Sequence, residues 1–172
     1  TMAAGSFAQI NFEFTGIYNS PDSTAMSGTF TVANQSAGIE VNDTNVTTAT
    51  FHGETSQRIE SFDLALNNEV VYKETASSKE VLITNRAPGG TAVLEEPVRA
   101  TTDYFAKAET AATGNSSIVL GSSAGNIVTV NVPQTDITGV SRGDTNGVNS
   151  LNLPYLALPT TAGNNELSIV MT

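Results

Sequence analysis

Apolar and polar residues alternate along much of the chain. In residues 8–14, Ala8, Ile10, Phe12 and Phe14 fall on one side and Gln9, Asn11 and Glu13 on the other. A period of two marks a strand with one buried face, so a half-buried strand is expected here. Residues 58–66 repeat the pattern, with Phe62, Leu64 and Leu66 expected inward and Ser61, Asp63 and Ala65 outward. Shorter strands are expected near Thr29–Ala33, Ile39–Val41 and Thr47–Phe51. Thr15–Gly28, with Gly16, Pro21, Asp22 and Gly28, reads as loop. Glu80–Thr84 reads as a buried strand closed by the turn Ala87-Pro88-Gly89-Gly90, and Thr91–Glu96 as another strand.

Two hairpins are expected downstream. Ser117–Leu120 and Ile127–Val132 flank Gly121–Asn126; Gln134–Ser141 and Val148–Leu158 flank Arg142–Gly147. Asn146-Gly147 is a tight-turn pair because both residues tolerate positive φ. Leu167, Ile169 and Met171 alternate in a final strand. The period changes at Thr101–Thr113. Ala106, Ala108, Ala111 and Ala112 favour a helix, Thr102 can cap it, Asp103 suits its dipole, and Gly114 stops it. Tyr104, Phe105, Ala108 and Ala112 form an apolar stripe expected to pack on a sheet. The pattern predicts a single, mainly β domain over residues 1–172. Its expected architecture is an antiparallel β-sandwich or barrel with one flanking α-helix at about 101–113.

Asn67–Glu80 fits no simple period. It reads as a long connection or an extended hairpin arm. Val70, Val71 and Tyr72 lie at its centre, with Glu69, Lys73, Glu74, Lys79 and Glu80 around them. An apolar centre with a charged rim suits a contact patch. Alternatively, the three residues extend a strand into the chain's own core.

Composition narrows the function classes. The 172 residues include 7 Lys+Arg and 17 Asp+Glu, for a formal net charge of −10. Binding driven by phosphate contacts needs the opposite balance. With no Cys, disulfides and thiolate zinc sites are excluded. Ser, Thr and Asn supply about a third of the chain, which favours strands and turns. No apolar run approaches the ~20 residues of a membrane span, and the first residues lack the basic-then-apolar pattern of a signal peptide.

The local motifs carry little chemistry. Gly121-Ser122-Ser123-Ala124-Gly125 matches a nucleophile elbow, but that elbow needs a strand-turn-helix context and a His after the Ser. Here a hairpin is expected, and His52 precedes Ser123. Arg142-Gly143-Asp144 spells an adhesion tripeptide inside a segment read as a turn. Asp144-Thr145-Asn146-Gly147 lacks the later Glu of a calcium loop. Asn34, Asn42, Asn45 and Asn115 begin glycosylation sequons, expected by chance in such a composition. Glu95 and Glu96 are strand neighbours and point to opposite faces, so they make no catalytic pair. No enzyme and no cofactor is expected.

A set of segments in a specific order resembles the phage tail tube protein family. Phe12-Glu13-Phe14-Thr15-Gly16-Ile17-Tyr18 looks like its F-x-F-T-G-x-Y segment. Leu66-Asn67-Asn68-Glu69-Val70-Val71-Tyr72 is similar to L-G-N-N-V-V-Y/P. Residues Val81 to Gly90 are similar to V-L-I-T-D-R-x-P-x-G. Glu96-Pro97 through Ala106, Ala124-Gly125-Asn126-Ile127-Val128 and Thr161–Leu167 follow in the family's order. The resemblance runs from about Phe7 to the C-terminus. Family members carry a further N-terminal region of comparable size, so this chain would correspond to their C-terminal part.

The resemblance implies a structural subunit. Such proteins form hexameric rings that stack into a hollow tube around the tape-measure protein, and DNA later passes through the lumen. Each subunit gives strands to an inner β-barrel, with a helix outside. The implied partners are further copies of the chain, the tape-measure and tail terminator proteins, and baseplate or tip proteins. The implied location is the virion, after assembly in the host cytoplasm, with no membrane. A ring of six chains at −10 would carry −60, which repels DNA over a Debye length of ~8 Å. Glu60, Asp63, Glu95 and Glu96 are the lumen candidates because they sit on expected strands, with ordinary outer surface as the alternative. On this reading the arm with Val70, Val71 and Tyr72 reaches a neighbouring subunit. The competing reading is a monomeric β-sandwich binding or adhesion module for glycans or a cell surface. Such modules usually display an aromatic platform or a metal site, which is not evident in a chain without Trp.

Overall fold

The computed structural model describes residues 1–20, 38–55 and 57–172. The expected strand at Thr29–Ala33, part of the expected Thr15–Gly28 loop and the Asn34 sequon lie outside the described residues.

The chain is mainly β. Its strands are β1 (Met2–Ala3), β2 (Val46–Phe51), β3 (Glu54–Thr55), β4 (Ile59–Ala65), β5 (Asn68–Glu74), β6 (Lys79–Arg86) and β7 (Gly89–Glu95). Helix α1 (Tyr104–Glu109) follows, then β8 (Thr113–Leu120), β9 (Val128–Ile137), β10 (Ser141–Thr145), β11 (Val148–Leu158) and β12 (Ser168–Met171). The main sheet runs β1-β4-β7-β11-β9-β8-β2-β3, with β10 beside β11 and β12 beside β9. Every pairing is antiparallel. β5 and β6 form a separate two-stranded ribbon.

β11 is the central strand. Its period of two buries Leu151, Leu153, Tyr155 and Ala157 and turns Asn152, Pro154 and Leu156 outward. Pro154 has no N–H to donate, and its carbonyl accepts from Thr138 in the break between β9 and β10. The missing donor therefore falls where the ladder is already interrupted. The sheet folds over on itself, as in a β-sandwich. Tyr155 stacks on Phe62 of β4 (5.4 Å between centroids) and meets the edge of Phe51 of β2 (5.8 Å). Strands far apart in the sheet order thus share one core.

Most polar residues inside are satisfied; among the described residues, His52 Nδ1 and the Tyr104 hydroxyl are buried without a hydrogen-bond partner. The Thr135 hydroxyl donates to Ser116 Oγ at 2.8 Å, and the His52 backbone N–H donates to the same atom at 3.0 Å. Buried His52 also holds the Ala112 carbonyl through Nε2 at 2.8 Å, a structural role.

Several expectations change. Residues 8–14 form no strand: Ile10, Phe12 and Phe14 are exposed, Phe14 to 88%, and Phe12 stacks on Phe14 at 6.0 Å. Alternation needs a partner edge to become a strand; here only Gln9 is paired, exchanging backbone hydrogen bonds with Thr1 at 3.0 and 3.1 Å, and no described residue pairs with the rest of the segment. Of Ile39–Val41 only Glu40 bridges, to Phe7. In β4, Phe62 and Leu64 face the core as expected, but Leu66 is exposed because Asn67 turns the chain at φ 48°. A bulge between Ile59 and Ser61 lets Ile59 also pack on the core.

The turn before β7 is shorter than expected. Gly89 and Gly90 belong to the strand, where a Cβ at Gly90 would collide with the Asp63 carbonyl. The helix is also shorter than 101–113, and Asp103 rather than Thr102 caps it, accepting from Phe105 and Ala106 N–H at 3.1 Å. Ala111 is left-handed at φ 49°, which ends the helix so that Thr113 can enter β8. Tertiary pairing overrides alanine's helix preference here. Tyr104 is buried against Phe51, while Phe105 lies between the guanidiniums of Arg99 (5.3 Å) and Arg142 (5.2 Å).

Leu153→Ala is expected to cost about 2–5 kcal/mol in urea unfolding, the usual range for a buried leucine. Gly90→Ala is expected to destabilise as well, through backbone displacement of β4 rather than a cavity.

The Arg99 hydrogen bond and the helix N–H groups hold the Asp103 carboxyl below its ordinary 3.8. Its own backbone N–H, then Arg86, lowers Glu166 from 4.5. Each therefore stabilises the fold fully above its unfolded value, and the contribution is lost as pH falls through the lowered folded value. Urea midpoints should fall below about pH 4, with a smaller fall in Asp103→Asn.

Candidate functional site

The β5–β6 ribbon is the most unusual surface. Asn67–Glu80 is neither a loop nor part of the core: it supplies β5, the turn at Thr75–Ser78 and the start of β6. The turn closes by Thr75 N–H to the Ser78 carbonyl at 2.8 Å, with Ser78 N–H returning to Thr75 Oγ1 at 3.1 Å. At the base, Arg86 reaches Glu166 at 2.8 Å, and Asn67 Nδ2 donates to the Ala87 carbonyl at 3.1 Å.

The register divides the apolar residues between two faces. Val70 pairs with Ile83 and Tyr72 with Val81 on one face; Val71 pairs with Leu82 on the other. Val70, Val71 and Tyr72 are exposed, as are Leu82 and Ile83, the last to 64%. The expected burial of Glu80–Thr84 is thus corrected: Leu82, Ile83 and Thr84 face solvent. Towards the tip each face ends in an ion pair, Glu74–Lys79 at 2.9 Å and Lys73–Glu80 at 3.8 Å. Lys79, and secondarily the Tyr72 hydroxyl donating at 3.0 Å, lowers the Glu74 pKa.

The candidate lumen carboxylates do not form one acidic wall. Glu95 pairs with Arg58 at 2.9 Å, and Glu96 with Arg142 at 2.7 Å. β7 ends at Glu95, one residue short of the expected strand, and the two neighbouring carboxylates serve different arginines. Glu60 accepts from the Thr145 hydroxyl at 2.8 Å. Asp63 has no ion pair among the described residues; its backbone carbonyl accepts from the Tyr155 hydroxyl at 2.8 Å. Burial, and then the Asp63 charge, pushes the Tyr155 phenol far upward, so the hydroxyl stays a donor. Asp63 lies in register with Thr91, which pairs with Pro154, and Ser61 lies in register with Val93 and Asn152. The outer face of β4, β7 and β11 is therefore mostly neutral.

All seven Lys and Arg side chains are ion-paired: Arg58, Lys73, Lys79, Arg86, Arg99, Lys107 and Arg142. None stands as an unopposed phosphate-binding cation. Arg142-Gly143-Asp144 lies on β10, paired with β11, rather than in a turn. The turn is Asn146-Gly147 alone, at φ 54° and 83°. Gly121–Asn126 joins β8 to β9, so Ser123 occupies a strand-turn-strand context. Among the described residues no helix is long and apolar enough to cross a membrane.

No family model, no curated protein and no solved structure matches the chain. The family resemblance rests on the sequence segments.

Sequence reasoning found Val70, Val71 and Tyr72 but missed Val81, Leu82 and Ile83 as their partners. A run of apolar residues reads equally as a buried strand or as one strand of a two-sided ribbon. The available signal was Lys79-Glu80 opposite Lys73-Glu74, complementary charges placed for a hairpin.

Val71→Asp and Tyr72→Ala are expected to leave the fold intact, because neither side chain enters the core. Thermal melts of the dilute protein should shift far less than for Leu153→Ala.

Proposed function

We propose that this protein is a structural subunit of a bacteriophage tail tube, assembling into stacked hexameric rings. The observation that carries this reading is the β5–β6 ribbon. A two-stranded ribbon alone is marginally stable in water, and this one presents Val70, Tyr72, Val81 and Ile83 on one face and Val71 and Leu82 on the other. Two uncovered apolar faces call for cover from neighbouring subunits. The ordered family-like segments supply the identity of those neighbours as further copies.

On this reading, the outer face of β4, β7 and β11 lines the lumen, with Asp63 as its free carboxylate. Glu60, Glu95 and Glu96 contribute through local pairs rather than as bare charge. DNA would pass without being held, because every Lys and Arg side chain already has a carboxylate. The partners would be the tape-measure, terminator and baseplate or tip proteins of a virion.

Negative-stain microscopy of the concentrated protein tests the reading: rings or tubes are expected, and protein that stays monomeric at all concentrations overturns it. Val71→Asp and Tyr72→Ala should reduce ring and tube formation while remaining folded. In a mobility-shift assay at physiological salt the protein should leave duplex DNA unshifted; a shift that weakens with added salt would contradict the neutralised surface.

A further inference from the structure

Residues 8–14 carry the side-chain period of a half-buried strand, yet Ile10, Phe12 and Phe14 stand exposed. β12 shows the complementary deficiency. Thr172 and Ile127 exchange both backbone hydrogen bonds, at 3.0 and 2.8 Å, and Val170 and Ser168 follow in register with Thr129 and Asn131. Alternation in an antiparallel ladder then points the N–H and C=O groups of Ile169 and Met171 to the open side.

Open edges are normally guarded by charge. Of the other described strands that pair on one side only, the uncharged β1 is two residues long, and β3, β5, β6 and β10 carry charged residues. β12 is exposed at every residue and carries none. The side-chain faces also match. Ile169 is in register with Val130, which packs on the core, and Met171 with Val128. A strand on the open side, with Ile10, Phe12 and Phe14 on that face, would extend the core layer over Ile169 and Met171. Cross-strand pairing of aromatic with aliphatic or thioether side chains favours that arrangement.

We propose that residues 8–14 of one copy add as a strand to the open side of β12 in a second copy. Among the described residues the chain holds both a strand-patterned segment paired only at Gln9 and an uncharged edge with no strand beside it. Glu13 is the only charge in the donor segment, so β12 meets it without like-charge repulsion. Donor and acceptor are different surfaces, so the contact is head-to-tail and propagates into a ring or filament. The inference deepens the self-assembly reading above by naming one of its contacts.

The chain lacks cysteine, which makes cross-linking selective. Asn11→Cys and Val170→Cys proteins leave the proposed apolar face intact; they would be mixed and treated with a short bis-maleimide. A covalent heterodimer is expected, and Phe12→Asp with Phe14→Asp in the Asn11→Cys chain should reduce it to background. In hydrogen exchange, the Ile169 and Met171 amides should gain protection on concentration. No cross-link between the two proteins overturns the proposal, whether or not rings form. A link within one chain carrying both cysteines, at a dilution where it is monomeric, also overturns it. A heterodimer without rings or tubes sustains strand addition and instead defeats the tube reading.

Discussion

The fold depends on the burial of Tyr155. A single antiparallel sheet with an apolar face must cover that face, and here the β5–β6 ribbon contributes nothing to the core and the one helix among the described residues is short. The sheet covers itself, which requires β2 and β4 to converge on one central side chain. Tyr155 stacks on Phe62, meets Phe51 edge-on, and donates its hydroxyl to the Asp63 carbonyl. The ring thus joins layers by dispersion and orients them by a hydrogen bond in a dry environment, where an unmet hydroxyl would be costly. Gly89 and Gly90 allow β7 the close approach this geometry needs.

A chain so rich in Ser, Thr and Asn can still form a tight core where buried hydroxyls bond one another, although the Tyr104 hydroxyl finds no partner among the described residues. The Ser116, Thr135 and His52 cluster is the clearest instance. Charge is arranged with similar economy: the few cations each take a carboxylate, and the unpaired excess is negative. Such exposed pairs add little stability. Their effect is to leave no Lys or Arg side chain without a carboxylate, which fits the proposed conduit for a polyanion.

The uncovered apolar surface lies outside the core. The β5–β6 ribbon, the exposed Ile10–Phe14 stripe and the open side of β12 each leave apolar surface or backbone groups in water. The core gains nothing from them, and their coexistence on one chain points outward to assembly.

Much of the architecture was legible from residue order. Period-two alternation marked β4 and β12, and runs flanking turns marked β11 and β9, although β9 runs unbroken from Val128 to Ile137 where two strands, Ile127–Val132 and Gln134–Ser141, are expected. Asn146-Gly147 marked a tight hairpin, and the alanine-rich run marked the helix. These features are local, set by backbone sterics and by which side chains avoid water. Tertiary structure decided the rest. Ala111 ended the helix because β8 had to begin at Thr113, and Gly89-Gly90 became strand because β4 lies too close for a side chain. Residues 8–14 have a strand's pattern but no strand, because pairing needs an edge and a pattern does not say where one is. The same limit applied to Val81–Ile83: hydrophobicity along a chain records that a face must be covered, and only the fold determines whether the cover comes from within.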